Sequence, residues 1–320
     1  MSTQPAMPSQ TSDLLGDGPV SDLGFADAPE GDGATSVAPA SPWRMAMRRF
    51  RRHRLAVLGL AILVLLVLAA VSAPLLAPYD PNLVDLASFQ QAPSAAHWLG
   101  TDSAGRDVLS RLIFGTQVSL TVGIAAAVSA GVLGLALGLL AGILGGKVDT
   151  VIMRVVEVFL SFPSLIVIIL LVAVLGPSIS TIVLVIAIFE WPTACRIVRQ
   201  MALTLREMDF VLAARAIGCS KLRIMTRHVV GGVVSPLTVV VTLLSAQAIL
   251  LEAALSFLGL GVTQPQASWG GMLQRAQSLT ILEGMPWLWL PPGIAIAVTV
   301  LAINFVGDGL RDALDPRQQM

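Results

Sequence analysis

The sequence predicts an all-α integral membrane protein with six transmembrane helices. Of its 320 residues, 55% are hydrophobic and 12% are charged, and the mean hydropathy is +0.80. A chain with this composition is too apolar to be an ordinary soluble domain. Six segments reach the roughly 20 apolar residues that a helix needs to cross a bilayer. They are residues 55–73, 118–144, 151–175, 179–197, 229–258 and 288–306.

The distribution of cations predicts how these spans are oriented. If six spans alternate across the membrane, all but three of the 20 Lys and Arg residues fall on one side. The exceptions are Arg106, Arg111 and Arg275. Because cytoplasmic loops carry the excess of Lys and Arg, both termini are expected in the cytoplasm. Cys195 and Cys219 then lie at or inside the cytoplasmic side, so no disulfide framework is implied.

Three regions follow one another along the chain. Residues 1–42 contain acidic but no basic side chains and are rich in Ser, Pro, Gly and Ala, which predicts a disordered cytoplasmic tail. Residues 43–54 form a basic juxtamembrane segment. This segment precedes an uncleaved first span rather than the apolar core of a signal peptide. Residues 55–320 make up the transmembrane domain.

The first outer loop, residues 76–117, contains an amphipathic stretch from Asp107 to Phe114. Asp107 and Arg111 are spaced as an i,i+4 pair with the acid first, the favourable order on a helix. The stretch predicts a surface helix lying on the membrane or, alternatively, a contact with an external partner. Asp102, Arg106 and Asp107 are the candidate contacts.

The second span carries glycines at four-residue intervals: Gly134, Gly138, Gly142 and Gly146. Small residues at this spacing allow two helices to approach closely in lipid. The stripe therefore predicts either packing against a neighbouring helix of the same chain or a dimer interface.

The sequence contains no signature of catalysis or of nucleotide binding. Residues 142–148, GILGGKV, are the nearest approach to a Walker A motif, but the first glycine and the magnesium-binding Ser or Thr are missing. His53, His97 and His228 lie in separate regions and form no zinc motif. We therefore expect no enzymatic activity, and no metal or cofactor bound by this chain.

Acidic residues within the spans are candidates for a role in transport because a charge in hydrocarbon is costly. Glu157 lies three residues from Arg154, which predicts a local ion pair near the cytoplasmic end. Glu190 lies midway along the fourth span, and Glu252 lies near the outer end of the fifth. Each either makes structural hydrogen bonds or lines a hydrated translocation path.

A polar segment, residues 206–228, separates the fourth and fifth spans and predicts two short helices with a sharp bend. Asp209 is predicted to cap the first helix, and Gly218 to end it in a left-handed conformation. Ser220 is predicted to cap the second helix. One face of the first helix carries Phe210, Ala213, Ala214 and Ile217.

Two other interpretations of this segment are weaker than a docking element. A DNA-binding helix-turn-helix would be held against the bilayer with too little helix free. A basic loop stabilised only by anionic lipid headgroups would need neither the small-residue face nor the glycine stop. The segment is therefore interpreted as a helix that docks onto a cytoplasmic partner.

Several motifs occur together in the order of one known family. They are HWLGTDSAGRDVLSRLIFGTQVSL, EVFLSFPSL, FVLAARAIG, EAALSFLGLGV with SWGGML, and NFVGDGLRDALDP. With these motifs, roughly residues 43–316 resemble the C-type permease subunit of dipeptide, oligopeptide and nickel ABC importers. The resemblance implies a type I importer permease fold with a cytoplasmic coupling helix.

In that family, the segment that FVLAARAIG resembles seats in a groove of the cytoplasmic ATPase. Ala213, Ala214 and Gly218 occupy the two alanine positions and the glycine position of the motif, whereas Leu212 stands at its glutamate position. The resemblance thus implies seating by shape rather than by a salt bridge. The implied ATPase-coupling residues are Phe210, Ala213, Ala214, Arg215, Ile217 and Gly218.

The resemblance further implies half of a path for peptides in a bacterial inner membrane. The implied partners are a second permease, two ATPases that hold ATP and magnesium, an extracytoplasmic binding protein and membrane lipid, but no nucleic acid. Nickel chelates or another small solute remain an alternative cargo. A second alternative is an ATP-independent, ion-coupled carrier, in which Glu190 and Glu252 would bind protons or cations.

Overall fold

The computed structural model describes residues 42–314, with side chains from residue 47 onward. The predicted acidic tail, apart from its last residue, lies outside the described residues. Within the described range the chain is helical, and its only β-type pairing is an isolated antiparallel bridge between Thr101 and Asp107.

The main helices are labelled in chain order. They are α1 (Pro42–Arg52), α2 (Arg54–Val71), α3 (Val108–Leu144), α4 (Gly146–Ser161), α5 (Ser164–Leu175), α6 (Ile179–Arg206), α7 (Asp209–Ala216), α8 (Lys221–Phe257), α9 (Trp269–Leu273), α10 (Leu279–Gly284) and α11 (Leu290–Leu314). Short helical turns lie at Ala73–Leu76, Leu86–Ser88, Gln274–Gln277 and Pro286–Leu288.

Five described helices, α2, α3, α6, α8 and α11, are each long and apolar enough to cross a membrane. The predicted third span is broken into α4 and α5, which meet at an angle of 86°. Pro163 explains the break, because a proline disfavours the helical conformation of the residue before it. Phe162 is accordingly extended, with φ −96° and ψ 143°. The pair counts as a sixth span only if both arms are taken together.

The predicted surface helix from Asp107 to Phe114 is not a separate element. These residues begin α3, which runs without interruption for 37 residues. The backbone N–H of Ser110 donates to Oδ2 of Asp107 at 2.7 Å, so the carboxylate caps the long helix. Arg111 approaches Asp102, with Nε 3.6 Å from Oδ2, rather than pairing with Asp107. The predicted i,i+4 pair is therefore wrong, because the acid is used as the cap.

Helix α3 is the centre of the bundle and packs along α6 through its glycine stripe. A Cβ atom at Gly138 would lie 2.7 Å from the carbonyl oxygen of Cys195, and one at Gly142 would lie 2.6 Å from the Cβ of Ala202. The stripe is thus a packing surface within the chain, one of the two predicted roles. Gly146 does not belong to it, because it begins α4 and a Cβ there would meet nothing within 4 Å.

Helix α8 packs against both α3 and α11, and α2 packs against α11 and α3. The loops 76–107 and 258–289 lie together at one end, called the loop face below, where Gln264 and Arg275 contact residues 102–106. The opposite end, called the basic face, holds the start of α2 and the polar segment 206–228. His53 and Asp312 mark this end, with Nε2 3.8 Å from Oδ2.

Candidate functional site

The segment between α6 and α8 forms the short helix α7, which begins one residue earlier than its predicted cap implies. Met208 occupies the cap position and provides no side-chain hydrogen bond. Asp209 is the first residue of the helix instead, so the prediction that it is the cap is wrong. Its carboxylate still lies in the first turn, where a negative charge is favourable to the helix dipole.

The end of α7 matches the sequence prediction. Gly218 has φ +83°, the left-handed conformation that ends helices. The N–H of Cys219 donates to the carbonyl of Ala214 at 3.0 Å, which closes the turn. The hydroxyl of Ser220 then accepts the N–H of Arg223 at 3.4 Å and caps the next helix. A π-helical turn, Ile224–Val229, leads into the rest of α8.

Helix α7 is fixed to the bundle by one face and leaves the other exposed. Val211 and Ala214 are buried, with 0% and 5% of their surface accessible, and they belong to the same apolar cluster as Ile224. On the other side, Ile217 is 82% exposed and Phe210 is 47% exposed. The exposed side of α7 therefore presents large apolar side chains beside the charged Asp209 and Arg215, at the basic face of the molecule.

The predicted coupling residues divide between these two sides. Phe210, Ala213, Arg215, Ile217 and Gly218 are exposed, whereas Ala214 faces the core. The exposed apolar surface also includes residues that the sequence analysis did not select: Met208, Leu212 and Leu222. The sequence analysis did not select Leu222 because it follows the glycine bend, and the helical periodicity used to assign the face of α7 does not continue across a bend.

Ion pairs fix the helix ends around this segment. Arg199 of α6 forms a bidentate ion pair with Asp149 of α4, with Nη2 2.6 Å from Oδ2. Nη1 of Arg206 donates to the carbonyl of Gly142 at 3.3 Å. The predicted pair of Arg154 and Glu157 is present at 2.8 Å, but both side chains are mostly exposed. Such an exposed pair contributes little to stability.

At the loop face, the three arginines that the charge pattern assigned to the outer side lie around a single carboxylate. Asp102 Oδ2 lies 2.9 Å from Nε of Arg106, 3.2 Å from Nη2 of Arg275 and 3.6 Å from Nε of Arg111. We call these four residues the loop-face cluster. Nη1 of Arg106 also donates to Oε1 of Gln264 at 3.3 Å. The cluster thereby joins the two long loops.

Burial and charge act in opposite directions on this cluster. Burial by itself raises the pKa of the Asp102 carboxyl, but Arg275, Arg106 and hydrogen bonds from two backbone N–H groups outweigh it. The net pKa of Asp102 is therefore below its ordinary value. Burial lowers the pKa of Arg275, against the opposing attraction of Asp102.

The other two predicted loop contacts, Arg106 and Asp107, are both buried. Asp107 accepts two hydrogen bonds from Ser110, at 2.7 and 2.8 Å, and its other oxygen lies 3.0 Å from Nδ1 of His97. These contacts leave Asp107 as a fixed structural group at the start of α3.

Glu252 connects α8, α3 and the start of α9 and has no exposed surface. The hydroxyls of Ser256 and Ser119 donate to its two oxygens, at 2.7 and 3.2 Å. The hydroxyl of Ser119 in turn accepts the N–H of Trp269 at 3.2 Å. Glu252 therefore makes the structural hydrogen bonds that the sequence offered as one of its two roles. A place on the translocation path stays a prediction for Glu252.

Glu190 is different because its carboxyl is buried without a partner. It is 4% exposed, and neither of its oxygens has a hydrogen-bond partner among the described residues. Glu190 lies among the buried residues of α6 and precedes Trp191, which packs against Phe159 with ring centroids 5.7 Å apart. A place on the path remains a prediction for this residue.

Among residues 42–314, no group of three or more His, Cys, Asp or Glu side chains is placed to hold a metal ion.

Known proteins resemble this chain in both sequence and fold. The family model described as "Binding-protein-dependent transport system inner membrane component" matches residues 134–320. The model described as "N-terminal TM domain of oligopeptide transport permease C" matches residues 41–94. A solved structure of the MetNI methionine ABC transporter, in an inward-facing conformation, matches with a TM-score of 0.53. That match covers 64% of this chain and 97% of the other at 17% identity, so it supports the fold alone.

The similar sequences extend over nearly the whole chain. A putative peptide permease protein of Brucella suis is 42% identical over 90% of this chain and 95% of its own length. The glutathione transport system permease protein GsiD of Shigella flexneri is 44% identical over 87% of this chain and 91% of its own length. With its helical fold and five to six spans, the chain therefore belongs to the binding-protein-dependent transport system inner membrane component family, the permease subunits of ABC importers, and is a transport subunit rather than an enzyme.

Proposed function

We propose that this chain forms half of the translocation path of an importer for di- or oligopeptides. The observation that carries the proposal is the 42% identity, over 90% of the chain, to a protein named as a putative peptide permease. A homologous second permease supplies the other half of the path, and an extracytoplasmic binding protein delivers the peptide. Two cytoplasmic ATPase subunits bind ATP and magnesium, whereas this chain binds no cofactor.

The exposed apolar face of α7 is the surface that docks onto an ATPase subunit. Ile217, Phe210 and Leu212 are each more than one-third exposed, so association with a partner would remove apolar surface from water. Leu212 stands where a glutamate would provide a charge contact. The seating therefore depends on shape and apolar contact.

The buried face of α7 transmits the movement of the ATPase to the spans. Val211 and Ala214 pack into the cluster that contains Ala194 and Ala202 of α6 and Val233 of α8. Because packed cores resist continuous deformation, a displacement of α7 moves these two helices with it. Closure of the ATPases on ATP would then switch the path from inward-facing to outward-facing.

The docking surface can be tested with a charge placed on α7 and the same change placed on the loop face. Ile217→Asp introduces a carboxylate at a position that is 82% exposed, so the fold of the chain is not expected to change. Leu86→Asp is the matched control, at a position that is 74% exposed in the loop 76–107. Co-purification with the ATPases is expected to be lost in Ile217→Asp and kept in Leu86→Asp. Equal recovery of the ATPases with both variants would contradict the assignment.

The cargo and the energy source are tested by uptake in cells that lack the chromosomal copy of this chain. Complementation should restore uptake of a labelled tripeptide, and ATP depletion should abolish it while the proton gradient is maintained. Restored uptake of nickel chelates without peptide uptake would identify the alternative cargo. Uptake that instead follows the proton gradient would favour an ion-coupled carrier.

The orientation, with both termini in the cytoplasm, has a direct test in the two native cysteines. Cys219 is half-buried beside the glycine bend, and Cys195 is buried within α6. A membrane-impermeant maleimide should label Cys219 in inverted membrane vesicles but not in intact cells. A Cys219→Ser variant should remain unlabelled in both, since Cys195 is not accessible.

A further inference from the structure

A cleft opens at the loop face between the end of α8 and α9, with a volume of about 140 Å³. Its polar lining includes the side chains of Arg111, Arg275, Gln264, Gln266 and Gln274. Guanidinium and amide groups of these residues are hydrogen-bond donors. No Asp or Glu is among the residues that line this cleft, all of which lie in the described range. The lining thus suits an acceptor group, and an anionic one in particular.

The charges beside the cleft also favour an anion. The loop-face cluster sets three guanidinium groups against the one carboxylate of Asp102. Two other carboxylates nearby already have partners: Asp107 is bound by Ser110 and lies 3.0 Å from His97, and Glu252 accepts the hydroxyls of Ser119 and of the cleft residue Ser256. Positive charge in partly desolvated surroundings is costly unless it is paired. Since two of the three arginines front the cleft, an anion there would complete the pairing.

Shape and size limit which anion fits. A guanidinium group is planar and matches a carboxylate with two parallel hydrogen bonds. The cleft has a volume of about 140 Å³, well above the roughly 10–15 Å³ that one water molecule needs. It therefore has room for a carboxylate group.

We propose that this cleft is a carboxylate-binding subsite of the permease, in which Arg111 and Arg275 hold the free C-terminal carboxylate of a short peptide at the loop face. That the carboxylate comes from a peptide rests on the proposed function. That the cleft binds a carboxylate rests on its own geometry. The site would orient the peptide with its carboxylate end in the cleft and its remaining residues outside it.

The first test measures the electrostatic potential in the cleft. Thr263 is exposed and lines the cleft, so Thr263→Cys in a Cys219→Ser background places one accessible thiol there. The protein is the complete complex with its ATPases in lipid nanodiscs, without binding protein. Anionic sulfonatoethyl and cationic trimethylammonioethyl methanethiosulfonates are compared, each relative to its reaction with free cysteine. The anionic reagent should react faster.

Arg275→Gln should lower the ratio of the anionic to the cationic reaction rate about fivefold. One unit charge at roughly 8 Å in water attracts the anionic reagent and repels the cationic one, so the two effects multiply in the ratio. Arg275 is the arginine to change because it is the most exposed of the three, at 18% of its side chain. Glu283→Gln alters an exposed charge on α10 outside the cleft lining and should leave the ratio unchanged. A ratio that does not respond to Arg275→Gln would overturn the proposal.

The second test identifies the ligand through protection from a neutral reagent, methyl methanethiosulfonate. Alanyl-alanine should slow modification of the thiol, whereas alanyl-alanine amide, which lacks the carboxylate, should not. Arg275→Gln should abolish the protection. Should that variant fail to assemble, Arg275→Lys keeps the charge but loses the planar fork, so it should keep the rate ratio and weaken the protection.

Each other outcome contradicts the subsite. Equal protection by the peptide and its amide would exclude a carboxylate contact, as would no protection by either. If binding protein is then added without peptide and it alone gives protection, the cleft receives a side chain of that protein. Because these measurements need no ATP, they fail independently of the proposed function, which is judged by ATP-dependent peptide uptake.

Discussion

Replacing Gly218 with valine isolates the contribution of the bend after α7. Gly218 has φ +83°, and a Cβ atom added there would meet nothing within 4 Å. The substitution therefore creates no clash, and its cost is conformational. A left-handed conformation costs an ordinary residue about 1–2 kcal/mol, and a β-branched residue lies at the upper end of that range.

This cost shifts the equilibrium of the bend by a factor of about 5–30. If the ATPase binds only the bent form, its apparent Kd rises by up to the same factor. The spans should insert normally because Gly218 is exposed and lies in the turn between α7 and α8, outside α3 and α6. The matched control is Gly218→Asn, since asparagine tolerates the left-handed region better than other non-glycine residues.

The assay is the affinity of the isolated ATPase for the permease in nanodiscs, measured together with the thermal stability of the permease. The expected order of affinity is glycine, then asparagine, then valine, with similar thermal stability for all three. Valine binding as tightly as glycine would refute the reasoning. Weak binding by asparagine and valine alike would instead implicate the absence of a side chain rather than the backbone conformation.

Two further predictions concern the bundle and the loop face. Gly138→Ala places a Cβ 2.7 Å from a backbone oxygen of α6 and should destabilise the permease by about 1–3 kcal/mol. The control, Gly231→Ala, adds a Cβ with nothing within 4 Å and should not destabilise it. Equal thermal unfolding temperatures for the two variants would contradict the packing role of Gly138. Because the folded pKa of Asp102 lies below its ordinary value of 3.8, its stabilisation should be fully present above that pH and be lost as the pH falls through the lowered pKa. The thermal unfolding temperature of Asp102→Asn should therefore fall less steeply at acid pH than that of the unchanged protein. An equal pH dependence for the two proteins would contradict this prediction.

The sequence correctly predicted the structural elements that depend only on residues close together in the chain. Span lengths follow from runs of apolar side chains, and the bend follows from Gly218 and from the Ser220 cap two residues later. Such local rules failed where two uses of one residue competed. Asp107 could pair with Arg111 or cap α3, and only the path of the preceding loop decided for the cap.

The sequence by itself determined that this is a helical membrane protein with a short polar helical segment between its fourth and fifth spans, because hydrophobic length and helix stops are local properties. The tertiary structure decided which face of α7 is buried, and it placed Arg275 beside Asp102 at the loop face. It also brought Gln264 to Arg106 across 158 positions of sequence. No local pattern encodes such a contact, since it depends on how the spans pack and where their loops then meet.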